Sequence, residues 1–355
     1  MPARPVARWG TALVLGTLVA GAARRRNALS GSGAAGAAAV GTAVFGAAGV
    51  RGSALLLLFF GSSTALSRLH RRTHHEDAAP PSDASVPRTI AAGPRRTLTQ
   101  VLANGGLPAV LALTGGMRRD PSGPAARAPS GPAVHAPSGP AARAPSGLAV
   151  RAPVGNARPS SRWEAAYAGA LAAANADTWA TEIGRLSRSA PRMITTGRRA
   201  EPGVSGAITP LGTTASLGGA LVIGLAHAML FGAGKPSPPT PLPAAGEGSN
   251  QGKSDAGEGS GVRMGSALAR GLSVTVAGFA GALADSVLGA TVQAVYVCRA
   301  CGQRTEDRTH AHGNEPPNLA RVRGLPLMTN DAVNLCASLT GAGVAAALSR
   351  AHGTS

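Results

Sequence analysis

The sequence predicts an all-α protein, a polytopic transmembrane bundle of about seven or eight helices. Hydrophobic residues make up 44% of the 355 residues and charged residues only 14%, against about 25% charged residues in a typical soluble domain. The mean hydropathy is only +0.09, because polar segments rich in Pro and Gly separate the apolar runs. Several of these runs approach the roughly 20 residues that a helix needs to cross a bilayer.

The apolar runs are rich in Gly, Ala, Ser and Thr, which favours close packing of helices in lipid. Eight runs give the predicted helices: 9–23, 31–50, 52–67, 98–116, 163–181, 207–231, 271–297 and 331–349. The first run also resembles a signal peptide. Three arginines at 24–26 are typical of a stop-transfer flank, so we interpret 9–23 as a retained helix.

Two low-complexity segments divide the chain. Residues 121–152 hold four copies of an eight-residue repeat, from PSGPAARA to PSGLAVRA, and residues 235–261 are rich in Pro, Gly and Ser. So short a period with Pro and Gly throughout cannot build a repeat fold, and both segments are predicted to be disordered linkers. The predicted division is N-terminal helices at 1–116, a linker at 117–162, helices at 163–231, a linker at 232–262 and C-terminal helices at 263–355.

The net charge of +18 comes almost entirely from arginines that lie between apolar runs. Nucleic acid is not a predicted partner, because aromatic residues for base stacking make up only 3% of the chain. The loops 24–30, 68–97, 182–206 and 298–330 hold 19 Lys and Arg, against 8 on the other side when the repeat linker and its flanks are left out. The positive-inside rule therefore places these four loops in the cytoplasm and predicts a multi-pass protein of the bacterial inner membrane.

Polar residues gather at the predicted cytoplasmic ends of the helices. In ANADTWATEIG (174–184), five polar residues fall within one helical arc of about 160°: Asn175, Asp177, Thr178, Thr181 and Glu182. Gln100 and Asn104 share a face at the start of one helix, and Asn330, Asp331 and Asn334 open the last one. Ionisable residues in such helices usually face the bundle interior or a wet cavity, so we predict a polar site at this end.

Asp285 lies deeper in the predicted helix 271–297. On that helix it would share an arc of about 100° with Ser286, Gly289, Gln293 and Tyr296. A buried Asp is costly and therefore indicates function. The alternative is a packing face of small residues in which the Asp makes one hydrogen bond across helices.

The loop ITTGRRAEPGVSG (194–206) combines cationic, hydroxyl and glycine residues just before an apolar helix. Backbone N–H groups and a helix N-terminus favour an anion at such a place. The candidate phosphate-binding residues are Thr195, Thr196, Arg198, Arg199, Gly203, Ser205 and Gly206. The alternative is a solvated basic connector that only sets the orientation in the membrane. The chain has no P-loop pattern.

The loop CRACGQRTEDRTHAH (298–312) pairs a CxxC with a His-x-His. Cys298, Cys301, His310 and His312 could hold a tetrahedral Zn²⁺, although the spacing is not that of a standard zinc finger. The alternative is a reduced dithiol with exposed histidines.

Five stretches in order resemble one integral membrane family: RTLTQVLANGG (96–106), ANADTWATEIG, PRMITT with PGVSG, ADSVLGATVQAVY (284–296) and NDAVN (330–334). That family contains animal transmembrane protein 19 and the plant phytyl-phosphate kinase of tocopherol synthesis. The resemblance covers nearly the whole chain outside the two linkers. It implies a kinase in the membrane that converts a phytyl or polyprenyl monophosphate to its diphosphate, with CTP or ATP as donor.

Phosphoryl transfer needs cationic groups around the phosphates and carboxylates that hold Mg²⁺. The candidate catalytic residues are Asp177, Glu182, Asp285 and Asp331, of which Asp177 and Asp331 are assigned to magnesium. Gln100, Asn104 and Asn334 would orient these groups or the phosphate. The expected partners are the lipid bilayer, an isoprenoid phosphate and a nucleotide. A transporter or a lipid-handling scaffold without catalysis remains the alternative, because polar faces in a helix bundle also serve translocation.

Overall fold

The computed structural model describes residues 3–77, 95–116, 159–232, 255–306, 308 and 318–351. These residues form seven helices, α1 Ala3–Arg25, α2 Gly31–Asp77, α3 Leu98–Gly116, α4 Pro159–Gly184, α5 Pro210–Gly232, α6 Asp255–Thr291 and α7 Asn330–Ala351. Five short strands accompany them, β1 Arg192–Met193, β2 Ala207–Ile208, β3 Val295–Cys298, β4 Arg304–Thr305 and β5 Leu319–Arg323. The predicted helical bundle is confirmed, and five of the described helices are long and apolar enough to cross a membrane.

Helix α2 contains both predicted runs 31–50 and 52–67. It bends sharply at Gly49, whose φ of 67° and ψ of −160° lie in a region that side chains rarely adopt. The bend folds α2 into a hairpin with a first arm (31–48) and a second arm (50–77). The Arg68 guanidinium accordingly donates a hydrogen bond of 3.1 Å to the Arg26 carbonyl, so the two ends of the hairpin meet.

The arginine-rich loops gather at one end of the bundle, which we call the loop end. The Ser30 N–H donates to the Arg96 carbonyl at 3.1 Å, and the Ser67 hydroxyl donates to the Glu182 carboxylate at 2.6 Å. The helices therefore alternate in direction, as the predicted topology requires, and the described parts of the loops 24–30, 68–97, 182–206 and 298–330 lie on one side. The location of this side in the cytoplasm remains a prediction.

Helix α4 is the centre of the bundle and packs against α2, α3, α5, α6 and α7. Its alanine-rich stretch 165–176 is buried. A Cβ at Gly169 would overlap the carbonyl oxygen of Gly341 in α7, and one at Gly278 would overlap Ala172. Small residues thus let the backbones approach closely, the means by which helices pack in lipid.

The predicted end of the helix 271–297 differs from the structure. The run 271–297 was expected to be one helix, but α6 ends at Thr291 and Val295–Cys298 pairs with β4 and β5 in a three-stranded antiparallel sheet. The Val-Tyr-Val sequence favours a strand, and the Arg323 guanidinium donates to the Gly289 and Ala290 carbonyls at the end of α6. The helical arc predicted to join Asp285 with Gln293 and Tyr296 is therefore wrong.

At their outer ends, α4 and α6 extend past the apolar runs. Helix α4 begins at Pro159 and α6 at Asp255, inside the segments assigned to linkers. Helix ends follow backbone hydrogen bonding rather than hydropathy. The remainder of both predicted linkers lies outside the described residues.

Candidate functional site

A polar cavity of about 330 Å³ lies at the loop end, between α4, α5, α6 and the two loops that follow α4 and α6. Its acidic residues are Asp177 on α4, Asp285 on α6 and Glu306 in the loop after β4. The loop end therefore has a polar cavity, and some of the predicted site residues line it.

The polar stripe of α4 divides between two faces. Asp177 and Thr181 line the cavity, whereas Asn175 and Glu182 accept hydrogen bonds from Ser62 and Ser67 of α2. Asn175 and Glu182 are separated from Asp177 by about 140–160° on a helix. The predicted arc is thus wide enough for one part of it to line the cavity and the other part to contact α2.

Asp285 has one carboxylate oxygen, Oδ2, that is buried and lacks a hydrogen-bond partner among the described residues. Asp177 and Glu306 line the same cavity. Six residues separate Asp285 from the end of α6, about 9 Å along the helix axis. The residue therefore lies in the half of the candidate span Met264–Thr291 that is nearer the loop end. A buried carboxylate oxygen without a hydrogen-bond partner, in a cavity that two other acids also line, is costly.

Glu306 is a site residue that the sequence reasoning missed. Its carboxylate accepts hydrogen bonds from the Ser205 hydroxyl and, at 2.6 Å, from the Gln293 side-chain amide. The same Gln293 amide lies 3.2 Å from the Ser205 hydroxyl. These contacts join the loop after α4 to the loop after α6. Sequence offers no signal that Glu306 meets Ser205, because 101 residues separate them.

The N-termini of two helices border the cavity. Thr209 caps α5 by accepting a hydrogen bond from the Gly212 N–H at 3.0 Å, with Pro210 in the first helical position. Asn330, the first residue of α7, also lines the cavity. Arg185 adds a cationic side chain to the wall. Partial positive charge at helix N-termini and an arginine favour phosphate groups.

The predicted phosphate loop contributes only its glycine-rich half. Gly203, Ser205 and Gly206 line the cavity, and Gly206 has a φ of 83° at a place where a Cβ would overlap Ala290. Thr195, Thr196, Arg198 and Arg199 are exposed in the turn between β1 and β2 and are not among the lining residues.

The other predicted site residues lie elsewhere. Gln100 accepts a hydrogen bond from the Thr97 N–H at 3.0 Å, a capping arrangement at the start of α3, and Asn104 donates to the Gln100 carbonyl. Both line a second, apolar cavity between α1, α2 and α3. Asp331 and Asn334 are half-buried in α7 and are not among the residues lining the polar cavity.

The sequence predicts a zinc site in the loop 298–312 and a magnesium site at the loop end. Within the described residues, no group of three or more His, Cys, Asp or Glu side chains is placed to hold a metal ion. Cys298 is buried at the end of β3 and Cys301 is exposed, while His310 and His312 lie outside the described residues. Of the two predicted magnesium ligands, Asp177 lines the cavity and Asp331 does not. The donor chemistry of the cavity fits the ion, because Mg²⁺ binds through one or two carboxylates completed by water and phosphates.

The fold and the cavity together define a multi-pass membrane protein with an acidic polar site at one end of its bundle. The chain belongs to the family described as integral membrane protein DUF92, which matches residues 14–342. The family resemblance found in the sequence is thereby confirmed.

Two relatives illustrate the family's range. The chain is 30% identical over 171 residues to Protein PGR of Arabidopsis thaliana, covering 48% of this chain and 49% of that protein. It is 48% identical over 66 residues to uncharacterized membrane protein MJ0933 of Methanocaldococcus jannaschii, covering 19% of this chain and 28% of that protein. The matches thus span half or less of these relatives. No solved structure matches the chain.

Proposed function

We propose that this protein is an isoprenoid-phosphate kinase of the membrane, which transfers the terminal phosphoryl group of a nucleotide to a phytyl or polyprenyl monophosphate. The observation that carries the proposal is the cavity in which Asp177, Asp285 and Glu306 face two helix N-termini and Arg185. Acidic groups for magnesium and N–H groups for phosphate are the two requirements of phosphoryl transfer. The family resemblance supplies the substrate class.

In the proposed reaction a phosphate oxygen of the lipid monophosphate attacks the terminal phosphorus of CTP or ATP. A new P–O bond forms as the bond to the nucleoside diphosphate breaks, so the products are the lipid diphosphate and the nucleoside diphosphate. The N–H groups at the start of α5 and in PGVSG bind the phosphates, and Arg185 adds charge-assisted hydrogen bonds. The exposed Arg198 and Arg199 attract the anionic substrates towards the cavity.

Asp177 and Asp285 are the proposed magnesium ligands, because both line the cavity and Asp285 has an unpaired buried oxygen. The ion, when bound, neutralises negative charge on the phosphates. Glu306 is a positioning residue, since its hydrogen bonds to Ser205 and Gln293 fix the PGVSG loop over the cavity.

An apolar surface beside this site could accommodate the lipid chain. Phe279, Ala282 and Leu283 of α6 form an apolar part of the cavity wall. We expect the first isoprene units to lie against them while the phosphate stays at the loop end.

The alternative function is a transporter or a scaffold without catalysis. Carriers place their site near the middle of the membrane, between repeats that move. Here the acidic residues lie close to the helix ends at one face of the bundle, which favours chemistry at the membrane surface.

Detergent-purified protein supplied with phytyl or polyprenyl monophosphate, Mg²⁺ and CTP or ATP should form the lipid diphosphate, measured by mass spectrometry. Asp177→Asn should lower the turnover at least about 100-fold, since losing a metal carboxylate costs about 3 kcal/mol or more of transition-state stabilisation. Asp285→Asn should have a similar effect.

Glu201→Gln is the matched control, because Glu201 is an exposed carboxylate in the same loop and does not line the cavity. It should keep wild-type turnover. Normal diphosphate formation by Asp177→Asn would remove Asp177 from the mechanism. Wild-type protein that forms no diphosphate from any isoprenoid phosphate would favour the transporter instead.

A further inference from the structure

A short apolar turn lies at the loop end, between β5 and α7. The Met328 N–H donates to the Leu325 carbonyl at 3.0 Å, which closes a β-turn (325–328) with Pro326 and Leu327 as its two central residues. We call it the apolar turn. Leu327 is 85% exposed and Leu325 is 56% exposed. Turns that face water mostly carry Gly, Pro, Asn, Asp or Ser, so a leucine at the tip of this one requires an explanation.

Backbone hydrogen bonds hold the apolar turn against the segment that follows α6. The Leu325 N–H donates to the Val292 carbonyl at 2.9 Å, and the Ala294 N–H donates to the Met328 carbonyl at 2.8 Å. Both ends of the turn are therefore fixed to the same short stretch of chain. The exposure of Leu327 belongs to an ordered turn and does not result from a frayed chain end.

These contacts also set the height of the turn relative to the membrane. Val292 comes directly after the candidate span Met264–Thr291, and the candidate span Asn330–Arg350 begins three residues after Leu327. The apolar turn therefore lies where two spans end, at the level of the membrane surface. The exposed leucines of α7 continue from there into the bilayer, beginning with Leu335 about 8 Å along the helix axis from Asn330.

The bundle itself uses the neighbouring Met328 rather than Leu327. Thr329 caps α7 by accepting a hydrogen bond from the Ala332 N–H at 3.3 Å. A hydrophobic residue just before such a cap commonly packs against the fourth residue of the helix, which here is the buried Val333. Met328 is accordingly half-buried. Leu327 remains exposed, and in water it would forgo the free energy that burial of a leucine releases.

We propose that the apolar turn is a membrane-contact element, in which Leu327 and Leu325 insert between the headgroups and the acyl chains of the bilayer that holds the bundle. Apolar side chains of segments that lie on a membrane occupy this boundary. Asn330, three residues after Leu327, lines the polar cavity. The turn therefore holds one edge of that cavity at the headgroup level, where the phosphate of a bilayer lipid lies.

Photo-crosslinking of the full-length protein in liposomes of phosphatidylethanolamine and phosphatidylglycerol tests this contact. Benzoylphenylalanine introduced at Leu327 forms a covalent adduct with C–H groups within its reach on illumination, and mass spectrometry identifies the adduct. The probe should form phospholipid adducts at Leu327 and, in a second protein, at Leu325. The yield at Leu327 should be at least about tenfold above that at Ala300, the ratio that burial of a leucine side chain in an apolar medium implies.

Two positions calibrate the probe. Ala300 is the matched control, because it is also exposed at the loop end and lies in the turn between β3 and β4. Leu339 is the positive control, because it is 50% exposed within the candidate span Asn330–Arg350 and should form phospholipid adducts.

A second measurement uses a smaller side chain. Leu327→Trp should add fluorescence that brominated phosphatidylcholine quenches, whereas the fluorescence added by Ala300→Trp should not be quenched. It keeps the test valid where benzoylphenylalanine disturbs the turn.

The proposal is overturned if Leu327 forms no more phospholipid adduct than Ala300. Cross-links from Leu327 mainly to a second copy of the chain, or to another segment of the same chain, would overturn it as well, because the turn would then be a protein interface. No step of the experiment measures diphosphate formation, so failure of the kinase proposal would leave this result unchanged.

Discussion

Asn175 shows how one buried amide can join three helices. Its Oδ1 accepts a hydrogen bond of 2.9 Å from Ser62 of α2, and its Nδ2 donates one of 2.8 Å to the Gly219 carbonyl of α5. Trp179 donates its indole N–H to the same Ser62 hydroxyl. In the sequence Asn175 belongs to a polar stripe that suggests a site, whereas in the structure its role is to fix α2 and α5 against α4.

Replacing Asn175 by Ala should lower the free energy of unfolding by about 1–3 kcal/mol, because the Gly219 carbonyl and the Ser62 hydroxyl each lose a buried partner. Titration with SDS, followed by circular dichroism, measures the change. Thr114→Val is the control, since Thr114 is exposed and bonds only within its own helix; we expect a change within about 0.5 kcal/mol. Equal effects of the two substitutions would contradict a linking role for Asn175.

The cysteine pair gives a second prediction at the scale of residues. We propose that Cys298 and Cys301 bind Zn²⁺ together with His310 and His312, and elemental analysis of purified protein should find about one zinc per chain. Cys298→Ser combined with Cys301→Ser should remove it, while Cys336→Ser, which changes a cysteine in α7, should not. A zinc content that the double substitution leaves unchanged would exclude this site.

Among the elements, α2 depends most on a single residue. Gly49 lets the first arm (31–48) and the apolar part of the second arm (50–67) fold back on each other, and its backbone angles are almost exclusive to glycine. Gly49→Val should therefore destabilise the protein by about 1–3 kcal/mol. Gly61→Ala is the matched control, because a Cβ there meets nothing within 4 Å. Both are measured as unfolding free energies in SDS, and a neutral Gly49→Val would show that the hairpin does not need this turn.

Hydropathy predicted the helices well because each apolar run must find lipid or another helix. It failed at Val295–Cys298, where the residues are as apolar as the helix before them. There the strand depends on residues distant in sequence, such as Arg323 of β5, whose guanidinium donates a hydrogen bond to the Gly289 carbonyl near the end of α6. The bend in α2 was predictable as a break near Arg51, but not as a hairpin without a loop.

The orientation of the whole molecule in the membrane can be tested by thiol labelling. If the loop end is cytoplasmic, a cysteine introduced at Ala200 should resist an impermeant thiol reagent added outside intact cells, and so should one at Glu315. A cysteine at Ser249, in the second predicted linker, should react. Permeabilised cells provide the control in which all three positions are open to the reagent. The reverse pattern would invert the protein in the membrane.

The composition of the candidate site could be predicted only in part. Asp177, Asp285, Gly203, Ser205 and Gly206 follow from local sequence and line the cavity. Glu182 and Gln100 have the same local character but face other partners, because sequence gives the faces of a helix without the rotation of that helix against its neighbours. Glu306 depends on the packing of two loops, which no local pattern reports.

The hydrogen bonds between Ser205, Gln293 and Glu306 also constrain how the protein is made. Ser205 leaves the ribosome long before Glu306, and the predicted linker between α5 and α6 is synthesised in the interval. The cavity cannot form until α6 has entered the bilayer and the loop after α6 has packed against the loop after α4. The polar cavity is therefore complete only when synthesis is nearly finished, after six of the seven described helices have been made.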